Sequence, residues 1–169
     1  LTERARELTP DPAEPDRLLA VVRGMIAKMP KFDRVSLGFP GVVAAGVVRT
    51  APNLGTKLWR GFDLGKALAK RTKKPVRVLN DCDLQGYGVI EGGGVELVLT
   101  LGTGLGIALF VDGQLMPNLE LGHHPFEKGQ TYEERVSNAE LDKIGKKRWS
   151  ARVARAIATL EPIFNYGRL

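Results

Sequence analysis

Four groups of residues in this sequence have types and spacings that can do chemistry. Asn80 and Asp81 fall where an apolar run, Val76-Arg77-Val78-Leu79, gives way to a helical segment. In open α/β sheets the carboxyl ends of strands are where ligands bind, so a polar pair at that edge is a candidate site. Either residue type also caps a helix, and on the sequence alone the cap is the better account. Gly102-Thr103-Gly104-Leu105-Gly106 lies between two apolar runs. Residues without Cβ let successive backbone N–H groups converge on an oxyanion, and Thr103 adds a hydroxyl donor; a tight hairpin without a ligand explains the same residues equally well. Glu120-Leu121-Gly122-His123 spaces a carboxylate and an imidazole around a turn glycine, which suits the hydroxyls of a polyol, although a loop salt bridge is the commoner role. Thr131-Tyr132-Glu133-Glu134 reads as a capping box that occupies Glu134 with the helix end and leaves Glu133 free.

The charge distribution adds a fifth feature. Lys and Arg total 25 against 19 Asp and Glu, a net charge of +6, which admits a polyanionic partner. Lys66, Lys70, Arg71, Lys73, Lys74 and Arg77 form one acid-free run, and Lys143, Lys146, Lys147, Arg148, Arg152 and Arg155 a second. A solvated helix face explains either run taken alone. A nucleic-acid module would interleave aromatic residues with the basic ones, and only Trp149 qualifies, so no nucleic-acid partner is expected. The single Cys82 allows no internal disulfide, and with only His123 and His124 beside it no zinc cage of Cys and His can be assembled. No apolar run approaches the ~18 residues of a membrane span, and Leu1-Thr2-Glu3-Arg4 lacks the order of a signal peptide. A cytoplasmic protein without membrane contact is expected.

The elements that must position these groups alternate. Residues 11–30 are predicted to be a helix with Leu19, Val22, Ile26 and Met29 on its buried face and Pro30 ending it. Residues 34–39 read as a buried strand, and the Val42-Val43 and Val47-Val48 pairs as a small hairpin. Asp63 can cap a helix running to 74, residues 76–79 form the next strand, and residues 82–91 the next helix. Residues 96–101, 107–111 and 114–116 read as three strands of a meander. A dinucleotide fingerprint would need a helix after the glycines, so a Rossmann entry is excluded. Trp149, Val153, Ile157, Leu160 and Phe164 mark one face of a final helix. The 20 glycines and 10 prolines argue against an all-helical bundle, and the alternation of elements favours α/β wiring.

Taken in order, several segments resemble the ROK sugar kinases, and within them the polyphosphate glucokinases. They are Ser36-Leu37-Gly38-Phe39-Pro40-Gly41, Val48-Arg49-Thr50-Ala51-Pro52-Asn53, Leu79-Asn80-Asp81-Cys82-Asp83, Leu101-Gly102-Thr103-Gly104-Leu105-Gly106, Phe110-Val111-Asp112-Gly113 and Glu120-Leu121-Gly122-His123. The resemblance implies an α/β, ribonuclease-H-like fold of the actin and hexokinase type, with two lobes and a cleft. Residues 1–79 would be most of the first lobe, and residues 80–169 the hinge region and the start of the second. By the same resemblance Asp81 would be the general base, while Asn80, Glu120, His123 and Glu133 would hold sugar hydroxyls. Gly102, Thr103 and Gly104 would match a phosphate-binding motif. The implied activity is phosphoryl transfer from polyphosphate, ATP or both to the 6-hydroxyl of glucose, with Mg²⁺ accompanying the donor, in a homodimer. Lys146, Lys147 and Arg148 are the preferred polyphosphate contact.

Two departures bear on these expectations. Residues 125–132 contain no Cys where many members carry a CxCGxxGC zinc segment, so no zinc is expected. The family's first phosphate motif, DxGGT, is absent, and the chain stops at Asn165-Tyr166-Gly167-Arg168-Leu169, so the fold is expected to be incomplete at both ends and the isolated chain to lack parts that position the donor. A ROK-type sugar-sensing transcriptional regulator is the alternative reading.

Overall fold

The computed structural model describes residues 3–169; Leu1 and Thr2, read above for a leader sequence, lie outside the described residues. The chain divides into two compact units, the first ending at Leu84 and the second running Gln85–Leu169.

The first unit opens with α1 (Pro15–Ala27). The helix starts four residues later than the pattern predicts. Pro15 takes the first helical position, where its missing N–H costs nothing, and forces Glu14 before it into an extended conformation at ψ 145°. Pro30 likewise bars Met29 from helical geometry, so Met29, expected on the buried face, lies past the helix end and is exposed. Leu19 is the helix's buried anchor, with Leu18 and Val22 packed beside it.

Next come β1 (Val35–Phe39), β2 (Val43–Ala44), β3 (Val47–Val48), α2 (Thr56–Trp59), α3 (Leu64–Thr72), β4 (Val76–Asn80) and α4 (Asp81–Gly86). β2 and β3 pair across Ala45 and Gly46, both with positive φ (51° and 81°), as a two-residue type I′ hairpin turn requires. Asp63 caps α3, its Oδ1 accepting the Lys66 N–H at 2.8 Å, and the helix stops two residues early on Lys73 at φ 55°. β1 and β4 pair in parallel, from Val35 opposite Val76 to Phe39 opposite Asn80. The core beneath them is built on Trp59, whose ring lies 4.9 Å from that of Phe39 and whose indole N–H donates to the Ala13 carbonyl at 2.8 Å.

α4 is shorter than the sequence suggests. Gly86 and Gly88 are poor helix formers, and the chain instead folds into turns in which Gly88, Val89 and Ile90 donate back to Gln85 and Gly86.

The second unit holds β5 (Val95–Leu101), β6 (Leu105–Val111), β7 (Gln114–Met116), β8 (Pro125–Glu127), β9 (Gln130–Thr131), α5 (Tyr132–Val136), α6 (Asn138–Ile144) and α7 (Lys146–Phe164). β5, β6 and β7 form the expected antiparallel meander, with no helix after the glycines. Leu101 pairs with Leu105, so Gly102, Thr103 and Gly104 alone make the connecting loop. The core gathers Leu97, Leu105, Ile107, Tyr132, Val136, Ala156 and Leu160, so α7 buries the predicted stripe through Leu160, with Val153 and Phe164 packed against it. Among the described residues, no helix is long and apolar enough to cross a membrane.

Candidate functional site

In the first unit, the candidate residues stand at the carboxyl end of the β1–β4 pair. β4 passes into α4 without a loop, Asn80 closing the strand and Asp81 opening the helix. The Asn80 Oδ1 accepts the Cys82 N–H at 2.8 Å and the Asp83 N–H at 3.3 Å, while its amide reaches the Gly41 carbonyl at 3.4 Å. Asn80 thus performs the capping that the sequence left open for either residue. Asp81 also accepts from the Cys82 N–H, at 2.9 Å, and is exposed. The opposing strand end is shaped to fit. A Cβ on Gly38 would come within 3.1 Å of the Asp81 Cα, and one on Gly41 would overlap the Thr50 carbonyl. These two glycines are support that the sequence reading did not single out; their signal is only the small residue at each point of close backbone approach.

In the second unit, three separate segments converge. The first N–H groups of a helix have no partner within it, and at the start of α5 the loop of residues 121–124 supplies partners. The Tyr132 N–H donates to the His124 carbonyl at 3.1 Å, and the Glu133 N–H to the Gly122 carbonyl at 2.9 Å. The predicted capping box is formed, with Glu134 N–H on the Thr131 hydroxyl and the Thr131 N–H on the Glu134 carboxylate; the Thr131 N–H and then its hydroxyl, both donating to that carboxylate, hold the Glu134 carboxyl below its usual range. Tyr132 is buried and stacks on Phe126 at 4.4 Å, which fixes the helix start in the core. Glu133 follows and is half buried, its carboxylate lying over Gly104. Among the described residues that carboxylate makes neither a hydrogen bond nor an ion pair.

The glycine loop is tied at its other side by Asn138 N–H on the Gly102 carbonyl at 2.8 Å. The Gly102 N–H is taken by the Gly104 carbonyl at 3.0 Å, whereas the N–H groups of Thr103 and Gly104 have no acceptor among the described residues. Glu120 and His123 are both exposed. The His123 side chain makes no ion pair among the described residues, so the loop salt bridge with Glu120 is not formed. The structure therefore brings Gly104, Gly122 and Glu133 together, and keeps Asn80 and Asp81 adjacent in the other unit.

The basic runs divide on inspection of their partners. Arg71 pairs with Asp16 of α1 at 3.2 Å. In the second run Lys143 and Arg152 pair with Glu140, and Arg155 with Glu127 at 3.0 Å. Buried Arg135 joins the same network through Glu127 at 2.6 Å. Arg155 and then Arg135 pull the Glu127 carboxyl from 4.5 down to about 2, and Arg152 lowers that of Glu140. Lys146, Lys147 and Arg148 are different: exposed in the first turn of α7, with no acidic residue in that turn and no ion pair among the described residues. Trp149 is half buried with its indole N–H on the Val136 carbonyl at 2.9 Å, so it is committed to the core side of the helix. Among the described residues no three His, Cys, Asp or Glu gather to hold a metal ion.

The parallel β1–β4 pair with its crossover helix and the following meander with a packed helix belong to the ribonuclease-H-like fold of the actin and hexokinase type. The solved inorganic polyphosphate/ATP-glucomannokinase from Arthrobacter sp. strain KM superposes with a TM-score of 0.83 at 32% identity, covering 98% of this chain and 71% of that one. The ROK family profile matches residues 1–137, and the chain belongs to the ROK family. It is 36% identical over 171 positions to the polyphosphate glucokinase of Mycobacterium tuberculosis (strain CDC 1551 / Oshkosh), covering 94% of this chain and 63% of that protein. Against the polyphosphate glucokinase of Mycobacterium leprae (strain TN) it is 32% identical over 168 positions, covering 94% and 51%. The chain thus spans between half and two thirds of the length of these curated relatives.

Proposed function

We propose that the protein carrying this chain is a hexose kinase that transfers a phosphoryl group from inorganic polyphosphate, ATP or both to the 6-hydroxyl of glucose. The observation that carries the reading is the corner at the end of β4. Asn80 accepts the Cys82 and Asp83 N–H groups, and Asp81, which also accepts from Cys82, is exposed at the ligand edge of a parallel strand in a chain 36% identical to a polyphosphate glucokinase.

In this reading the sugar 6-oxygen attacks the terminal phosphorus of the donor, forming the new O–P bond as the bond to the departing phosphate chain or ADP breaks. The Asp81 carboxylate takes the hydroxyl proton. Little covalent chemistry is asked of the protein, because phosphoryl transfer is accelerated mainly by alignment and charge neutralisation. Asn80, Glu120, His123 and Glu133 hold sugar hydroxyls, so that an analogue lacking one leaves a polar group unpaired and is penalised. The N–H groups of Thr103 and Gly104, which have no acceptor among the described residues, offer two donors to phosphate oxygens. Mg²⁺ held by the donor phosphates would neutralise part of their charge.

Lys146, Lys147 and Arg148 support polyphosphate as a donor. They place three cations at the positive end of the α7 dipole, an arrangement that repels itself unless an anion lies against it. A cytoplasmic homodimer belongs to the same reading. The test is an assay of the complete protein for glucose 6-phosphate with each donor. Product with polyphosphate is the expected result; glucose binding without phosphorylation by either donor would overturn it in favour of a sugar-sensing regulator.

A further inference from the structure

The glycine loop contains two glycines that differ in what surrounds them. A Cβ built on Gly102 meets nothing within 4 Å. A Cβ on Gly104 would lie 2.7 Å from the Glu133 Cδ and 3.1 Å from its Cγ, and would overlap Oε2. Neither Gly104 nor Gly122 has φ in the left-handed region, so the backbone does not itself demand glycine at either position. Gly122 is required by the Leu105 carbonyl, 2.8 Å from its Cβ position, with the Glu133 Oε2 a further neighbour at 3.6 Å. At Gly104, the three nearest atoms all belong to the Glu133 side chain.

We infer that Gly104 is a positioning residue for Glu133: the missing side chain at 104 is the seat of the Glu133 carboxylate, so one contact sets the phosphate loop and the sugar-binding acid together. The inference rests on the reading above in which Glu133 is a hexose ligand. The backbone of Glu133 cannot give way, because its N–H is held by Gly122 and its neighbour Tyr132 is buried in the core. The obstructed atoms, by contrast, are the far end of a flexible side chain. A methyl at 104 is therefore accommodated by swinging the carboxylate aside, and a displacement of about 1 Å is enough to cost on the order of 100-fold where geometry matters. Among the described residues no other group holds the carboxylate once its seat is filled.

The experiment is a double-mutant cycle in the complete protein with Gly104→Ala, Glu133→Ala and the pair, reading the glucose Kd by calorimetry and the melting temperature without ligands. Gly104→Ala is expected to weaken glucose binding by about 10-fold or more in the wild-type background and to add nothing once Glu133 is Ala. It is likewise expected to lower the melting temperature only when Glu133 is present. Gly102→Ala, with open space at its Cβ, is expected to leave the glucose Kd in place and to show its cost in the donor KM. Equal loss of glucose affinity in both backgrounds, or an effect of Gly104→Ala confined to the donor KM, would overturn the inference. If the wild type binds no hexose, the functional reading fails. The melting cycle then decides separately whether Gly104 seats Glu133, and additive melting shifts would overturn that too.

Discussion

At the end of β4 the two polar residues are neighbours in sequence, and the junction of a strand with a helix presents them without help from distant segments: Asn80 binds the turn and Asp81 begins it. In the second unit the corresponding polar cluster is drawn from residues 102–104, 121–124 and 131–133, joined by Glu133 N–H on Gly122, Tyr132 N–H on His124 and a carboxylate resting where Gly104 has no side chain. The first corner is made by secondary structure and the second by contacts between loops. A substitution at the first corner should therefore act on the group removed and little else, while one at the second should travel to its neighbours.

The largest effect separates the two corners by kinetic parameter. Asp81→Asn keeps the size and the hydrogen-bonding shape of the side chain but not its basicity, so kcat should fall at least ~100-fold, the usual scale for loss of a general base, with glucose affinity nearly unchanged. Steady-state kinetics and calorimetry check this, and a variant with near wild-type turnover would remove Asp81 from the mechanism.

Of the proposed sugar contacts in the second unit, Glu133 is half buried whereas Glu120 and His123 are exposed. Alanine at any of the three should weaken glucose binding by about 1–3 kcal/mol, the scale for a polar partner left unsatisfied, with Glu133→Ala at the upper end and the two exposed positions at the lower. Calorimetry that ranked an exposed position above Glu133 would break the distinction drawn from burial.

A smaller effect is expected outside both corners. Replacing Lys146, Lys147 and Arg148 by Ala should raise the polyphosphate KM several-fold and flatten its dependence on salt, because fewer counterions are released when fewer cations meet a polyanion. The ATP KM should hold within about twofold. Equal loss with both donors, measured between low and physiological ionic strength, would refute a polyphosphate-specific role.

The smallest effect concerns the frame behind the second corner. Glu127 has its carboxyl held at about 2, against 4.5 for the free group, by Arg155 first and Arg135 next. A depressed carboxyl pKa stabilises the fold fully above pH 4.5, and that contribution drains away as pH falls toward about 2. Glu127→Gln should accordingly melt lower than wild type near neutrality, and the gap should close as pH drops through that window. Thermal melts from pH 7 to pH 2 test the sign; a constant gap would mean that packing, not charge, carries the difference.

Local chemistry explains what could be read directly from the sequence. Ala45-Gly46 and Asp112-Gly113 turn hairpins because both residues of each pair adopt positive φ. Asp63 caps α3, Thr131 and Glu134 form their box, and alternating apolar residues set the meander, all through interactions spanning a few residues. The helix ends were less legible where prolines and glycines overrode the apolar period, as at Met29 and Gly86. The second basic run looked uniform in the sequence, yet tertiary structure spends Lys143, Arg152 and Arg155 on Glu140 and Glu127 and leaves Lys146, Lys147 and Arg148 without such partners among the described residues. The seat of Glu133 on Gly104 is of the same kind. Residues 29 apart meet there only because a hairpin loop and a helix start are packed on one core, and no period, cap or turn propensity encodes a contact at that separation.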